Sequence, residues 1–255
     1  MTLEVTVVPC RDDNYGYLLH EPEADVWAVV DAPETAPLKA AIEAAGGRLD
    51  LILLTHHHGD HVEGVEDLRE AYGAKVVGHA EDAGRLPKLD LAVNEGDEIA
   101  VGEERATVID VSGHTIGHVA FHFPGAGKAF TADSLMALGC GRVFEGTHHQ
   151  MWESLSKLME LPNDTEIYSG HNYGAANGRF ALSIEPDNAA LNERVARIAD
   201  LDGRGEPIVP VTLAEELETN PFLRARKPSV KEAVGLAGAD DASVFAEVRR
   251  RKDSF

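Results

Sequence analysis

Four apolar residues, Leu51-Ile52-Leu53-Leu54, run directly into Thr55-His56-His57-His58-Gly59-Asp60-His61. A short, wholly apolar run of this kind is the pattern of a strand buried on both faces. The next stretch, Val62 to Tyr72, has helical spacing, with Val62, Val65 and Leu68 as its apolar stripe. Four histidines and an aspartate therefore stand at a buried strand's exit, where a surface tag would not be placed. Alternate residues leaving a strand share a side, so His56 and His58 address one point and His57 faces away from it. Asp60 and His61 fall where the helix begins and can address a second point nearby. Imidazole and carboxylate are donors that suit zinc, iron and manganese, and this spacing fits two metals better than one.

Three further donors stand at strand exits in the same way. His114 follows Thr107 to Val111, Asp133 follows Phe130-Thr131-Ala132, and His171 follows Ser169-Gly170. Other strands are predicted at Leu3 to Val8, Tyr15 to Leu19, Val26 to Val30, Lys75 to Val77, Val119 to Phe123, Lys128 to Thr131 and Glu166 to Tyr168. The opening from Met1 to Cys10 reads as part of the first strand and not as a secretory signal. Helices are predicted at Pro37 to Ala45, closed by Gly46-Gly47, and at Met151 to Met159. This mixture argues for sheets covered by helices. Beyond Tyr173 the strand runs fade, and Asn188 to Leu201, Leu213 to Leu217 and Ala242 to Lys252 carry helical spacing. The expected division is a catalytic domain over residues 1–172 and a small, mainly helical domain over 173–255.

Two properties of the whole chain bear on partners. The formal charge of −21 opposes a nucleic-acid ligand, whose binding rests on cationic contacts to phosphates. The two cysteines, Cys10 and Cys140, are far apart and in no metal-binding spacing, so a reducing compartment, the cytoplasm, is the default. No apolar run approaches the roughly 20 residues of a membrane span. A monomer acting on a small molecule is expected.

The order His-x-His-x-Asp-His, then His, Asp and His, resembles the metallo-β-lactamase superfamily. The resemblance narrows to the glyoxalase II family, the hydroxyacylglutathione hydrolases, on five segments. These are Asp13-Asn14-Tyr15-Gly16-Tyr17-Leu18-Leu19, Gly139 to Thr147, Ser169-Gly170-His171-Asn172-Tyr173, Thr219-Asn220-Pro221-Phe222-Leu223-Arg224 and Arg249 to Phe255. It implies an α+β fold, an αββα sandwich with metals at one edge of two sheets, followed by a helical domain that helps hold glutathione. It implies His56, His58 and His114 on one divalent ion, Asp60, His61 and His171 on a second, and Asp133 bridging both. Zinc is the first expectation, and the same donors admit iron or manganese. Asp60 and Asp133 are the residues given catalytic duty besides ligation, and the implied substrate is a glutathione thioester. A persulfide dioxygenase shares much of the fold and the ligand motif, but uses a single iron. The Thr219 to Arg224 segment and the basic C-terminal end favour the hydrolase.

Arg142, Phe144, Tyr173, Arg249 and Lys252 are the substrate-binding residues that the resemblance carries over. Arg249 and Lys252, three apart on a helix, are neighbours on one face and can meet the ligand's carboxylate within an otherwise acidic surface. Read alone, a basic helix end also complements the helix dipole. Phe144 can pack but not hydrogen-bond, whereas Tyr173 keeps a hydroxyl. Cys140 is read as packing, and His118 as the remaining histidine placed to support a ligand.

Overall fold

The computed structural model describes residues 3–255; Met1 and Thr2 of the predicted opening strand lie outside the described residues. One six-stranded sheet is formed, in spatial order, by β1 (Glu4–Cys10), β2 (Asn14–Glu21), β3 (Val26–Val30), β4 (Leu51–Leu53), β5 (Lys75–His79) and β6 (Leu91–Val93). Its first three strands are antiparallel, and from β3 onward it is parallel. The other strands are β7 (Glu98–Val101), β8 (Glu104–Asp110), β9 (Val119–Phe123), β10 (Lys128–Ala132), the short hairpin β11 (Leu135–Met136) and β12 (Gly139–Cys140), β13 (Glu166–Ser169) and β14 (Val211–Thr212). The second six-stranded sheet runs β14-β13-β10-β9-β8-β7.

Three apolar clusters explain why these sheets face each other. Tyr17, Leu19, Val30, Leu53 and Val77 from the first sheet meet Val108, Phe121, Phe123 and Phe130 from the second in a buried inter-sheet core. The alternate residues Leu18, Val29, Ile52, Leu54 and Val76 face outward onto helices α1 (Thr35–Ala44) and α3 (Val65–Tyr72), whose Leu38, Ile42, Val65 and Leu68 are buried. On the other side Ala120, Ala129 and Ile167 pack on α4 (His148–Leu158) and α9 (Asp241–Asp253) through Met151, Leu155, Phe245 and Val248. The order is helix, sheet, sheet, helix, because each strand's period of two supplies one apolar row to each neighbouring layer.

The predicted helix over Val62 to Tyr72 is broken in two, α2 (Gly59–Val62) and α3. Gly64 lies between them, and its amide donates to the Ala32 carbonyl at 2.9 Å. A β-carbon at Gly64 would meet backbone atoms of residues 32–35 at 3.1–3.2 Å, so the loop after β3 presses against the break. Helices α5 (Gly174–Ile184), α6 (Ala189–Arg204), α7 (Leu213–Thr219) and α8 (Pro228–Ala233) complete the chain with α9. Asn188, Thr212 and Asp240 cap α6, α7 and α9. The strand signal after Tyr173 does not vanish entirely, since β14 pairs antiparallel with β13 and extends the second sheet. Among the described residues, no helix is long and apolar enough to cross a membrane.

Phe121 is fully buried where the two sheets meet. Phe121→Ala should destabilise the fold by about 3–5 kcal/mol, read as a lower denaturation midpoint. An unchanged midpoint would contradict this layer assignment.

Candidate metal centre

The strand exits converge on one edge of the sandwich. β4 leads to His56, His58, Asp60 and His61, β8 to His114, β10 to Asp133 and β13 to His171. The edge is tied across the two sheets: the Tyr15 amide donates to the Gly170 carbonyl at 2.9 Å and the Asn172 amide to the Asp13 carbonyl at 2.7 Å. Gly170 is required where β13 ends, because a β-carbon there would lie 2.3 Å from Asp133 Oδ1 and 2.8 Å from His61 Cε1.

Two donor groups result. His58 Nδ1 lies 3.2 Å from His56 Nε2 and 3.1 Å from His114 Nε2. His171 Nε2 lies 3.3 Å from His61 Nε2 and 3.4 Å from Asp60 Oδ2. Each triad could hold a cation. Asp133 stands between them: Oδ2 is 3.4 Å from both His114 Nε2 and His171 Nε2, and Oδ1 is 3.4 Å from His61 Nε2. Asp133 Oδ1 is buried without a hydrogen-bond partner among the described residues. Such an oxygen is costly unless a cation meets it, which is the fit expected of a bridging ligand.

The surroundings orient the rings. Asp31 receives Thr55 N at 2.9 Å and Thr55 Oγ1 at 2.8 Å, and holds His61 Nδ1 at 2.7 Å. Asp13 holds His171 Nδ1 at 2.9 Å, and the Arg142 carbonyl holds His114 Nδ1 at 2.7 Å. In each case the other ring nitrogen is left facing the centre. Asp31, His56 and His61 are also close enough to form a third cation group. Because Thr55 and His61 engage its oxygens, Asp31 is better understood as orienting His61. Sequence reading missed Asp31, although it follows β3 as the other donors follow their strands.

Charge separates the two triads. Burial pushes the pKa of His56, His58 and His114 down, so they are neutral donors near neutral pH. At His61 and His171 burial acts in the same direction but loses to the carboxylates. Asp133 and Asp31 raise His61, while hydrogen bonds to Asp133, Asp60 and Asp13 bring His171 to about 11. Asp60, hydrogen-bonded to His171, is held well below the usual carboxylate range. Asp133 is also low despite burial, through His61 and His171. The acids draw positive charge to this pair, a demand that a divalent cation meets as well as a proton does.

His57 faces away, 3.0 Å from Asp82 and 3.6 Å from Glu145. Arg85 Nη2 donates to Glu145 at 3.1 Å, and the Ile116 amide does so at 2.9 Å, so this network holds the metal loop to the loop carrying Phe144. His118 stacks on His56 at 4.6 Å and 11°, with neither nitrogen hydrogen-bonded among the described residues.

A cavity of about 510 Å³ opens over the donors. Phe144, 61% exposed, packs on His114 with ring centroids 5.2 Å apart. Tyr173 stacks on His171 at 4.6 Å. The Arg142 side chain is 65% exposed at the mouth, where Lys252 and Phe255 also line the wall. Phe255 was not singled out from sequence.

Arg249 lines the same cavity as Lys252. Its guanidinium is buried, donating to the Cys140 carbonyl at 2.8 Å and to Asp253 at 2.9 and 3.1 Å, and it lies over the Phe222 ring. Helical spacing put it beside Lys252 but could not show that other groups engage its charge. The Cys140 thiol is buried and pushed up to about 11, which suits packing and not nucleophilic attack.

Comparison with known proteins agrees with this layout. Residues 17–171 match the model of the metallo-beta-lactamase superfamily, and residues 172–255 match that of the hydroxyacylglutathione hydrolase C-terminus. A hydroxyacylglutathione hydrolase of Cereibacter sphaeroides is 57% identical and one of Ruegeria pomeroyi 55% identical, each over the whole of both chains. The chain belongs to the hydroxyacylglutathione hydrolase family. The crystal structure of ETHE1 from Myxococcus xanthus shares the fold, with a TM-score of 0.69 and 23% identity over 98% of this chain and 90% of that one. The match to the hydroxyacylglutathione hydrolase C-terminus covers Thr219 to Arg224 and Arg249 to Phe255, two of the segments that carried the resemblance.

Asp31→Asn keeps a residue that tolerates this left-handed backbone, at φ 57°, but removes the charge behind His61. Metal affinity should fall by about 10–100-fold in chelator competition, with the fold retained. Parent affinity would show that Asp31 does not orient a ligand.

Proposed function

We propose that this chain hydrolyses S-(2-hydroxyacyl)glutathione thioesters, converting S-D-lactoylglutathione to D-lactate and glutathione in the second step of methylglyoxal detoxification. The observation that carries this is identity of 57% with a hydroxyacylglutathione hydrolase along the entire chain, catalytic and C-terminal parts alike. In this reading His56, His58 and His114 hold one divalent ion, Asp60, His61 and His171 hold another, and Asp133 contacts both. Zinc is the first candidate, and iron or manganese suits the same donors. Bound divalent ions supply a lowered pKa for water, from about 15.7 toward about 7 for zinc, and Lewis acidity toward a carbonyl.

The chain's own residues do the placing. Asp60, partly open to the cavity, is an acceptor able to orient the attacking water by one of its protons. Phe144 and Tyr173 flank the approach to the donors as apolar and stacking walls, and the Tyr173 hydroxyl offers the ligand's peptide a hydrogen bond. Arg142, Arg249 and Lys252, all lining the cavity, give local positive charge for the ligand's carboxylate, despite the net −21. Water adds to the thioester carbon and releases a proton to solvent, the C–S bond breaks, and the sulfur leaves as thiolate, so no strong general acid is needed.

The proposal takes residues 1–172 as the catalytic domain and 173–255 as the ligand-holding one. It takes the chain as a cytoplasmic monomer with no nucleic-acid or membrane partner. The acidic surface and two free, buried cysteines support that view.

Zinc-loaded protein should hydrolyse S-D-lactoylglutathione, lose activity to a chelator and regain it on zinc addition. Lys252→Ala should raise KM by about tenfold with kcat within about threefold, the mark of lost uniform binding. No hydrolysis by metal-replete protein would overturn the assignment.

A further inference from the structure

Among the described residues, the exposed large apolar side chains are Leu91, Phe144, Tyr173 and Phe255, and all but Leu91 line the cavity over the metal donors. Phe144 packs on His114 and Tyr173 stacks on His171, so two of the three attend the metal centre. Phe255, 64% exposed, faces a cation instead. Lys252 Nζ lies over its ring, 5.7 Å from the centroid, and over the Phe180 ring at 5.5 Å. The two rings meet edge to face, with centroids 5.4 Å apart and an interplanar angle of 72°. Both are fixed by the fold. Phe180 is buried on α5, and the Phe255 amide donates to the Lys252 carbonyl at 3.3 Å, which turns the chain back beside that side chain after α9.

A single exposed phenylalanine needs no explanation, and a basic helix end complements the helix dipole. The situation of the ammonium goes further. Of the lysine and arginine side chains lining the cavity, Lys252 alone lacks a carboxylate partner among the described residues. Arg249 is paired with Asp253 at 2.9 Å, and Arg142 lies 3.9 Å from the same acid. One of the three Lys252 donors reaches the Ala176 carbonyl at 3.3 Å. A ring face attracts a cation without taking up a hydrogen-bond donor, so two donors stay free for an incoming anion. Burial, with Arg249, Arg179 and Arg142 nearby, pushes the Lys252 pKa down, and the two rings oppose this by favouring the charged form. Ordering a long side chain on binding is costly, and one that is held beforehand avoids much of that cost.

We propose that Phe180 and Phe255 are positioning residues for Lys252, forming an aromatic clamp that holds its ammonium at the cavity wall, ready for the ligand's carboxylate. Phe180 is the fixed jaw, packed in the core, and Phe255 is the exposed one. The clamp acts on binding and not on the bond-breaking step, because it touches neither the metal donors nor the thioester. The identity of the ligand rests on the thioesterase reading, whereas the clamp itself does not.

Phe255→Leu keeps an apolar side chain but removes the ring face, and Phe255→Tyr keeps the ring. Because Phe255 is largely exposed, both variants should fold as the parent does. On S-D-lactoylglutathione, zinc-loaded Phe255→Leu should show KM raised about fivefold with kcat within about twofold, and Phe255→Tyr should recover the parent KM. On a Lys252→Ala background, Phe255→Leu should raise KM no further, since its effect passes through the ammonium. The Lys252 ε-methylene protons report the clamp without any substrate. Ring currents should place their NMR signal upfield of those of exposed lysines, and Phe255→Leu should move it part of the way back. Parent KM in Phe255→Leu, or the same fivefold loss on the Lys252→Ala background, would make Phe255 a wall of the cavity only and overturn the proposal. If the chain hydrolyses no thioester, an ε-methylene signal unmoved in Phe255→Leu still refutes the clamp, and one that moves downfield upholds it.

Discussion

A buried carboxylate surrounded by imidazoles sets the terms for this structure. Asp133 lies within 3.4 Å of His61, His114 and His171, and one of its oxygens has no hydrogen-bond partner among the described residues. Desolvation would neutralise an isolated acid at such a depth, yet the histidines outweigh it and keep Asp133 ionised. The centre is thus built to hold positive charge. An αββα sandwich provides this because several strands end on one edge, each able to extend a donor into the same small volume.

Everything around the donors limits their freedom. Asp31, Asp13 and the Arg142 carbonyl each fix one nitrogen of a ring so that the other faces inward. The His57–Asp82–Arg85–Glu145 network ties the metal loop to the Phe144 loop. The helices after Tyr173 form much of the cavity wall and grip the hairpin between Asp133 and Arg142.

The metal donors were legible because their types are rare at buried strand exits and their spacing matches a strand's period. Sheets covered by helices were legible because Leu51 to Leu53 and Val26 to Val30 are apolar over their full length, and Val119 to Phe123 is so but for His122, whereas the αββα order came from the family resemblance. What sequence did not give was decided by partners distant along the chain. The break at Gly64 depends on the backbone of residues 32–35. β14 has two residues and exists only by pairing with β13. β6 is partly exposed and three residues long, too short for a periodic signal. α5 begins Gly174-Ala175-Ala176 with no side-chain cap, so it lacked a start signal. Arg249 is the instructive case, for helical spacing fixes which residues share a face but not which partner engages a charge.

Anomalous diffraction at the zinc edge, from crystals of zinc-loaded protein, tests the binuclear centre most directly. Two peaks are expected, one among His56, His58 and His114 and one among Asp60, His61 and His171, with Asp133 in contact with both. A single peak, or an Asp133 carboxylate bound to one ion alone, would contradict the bridging role on which the centre is built.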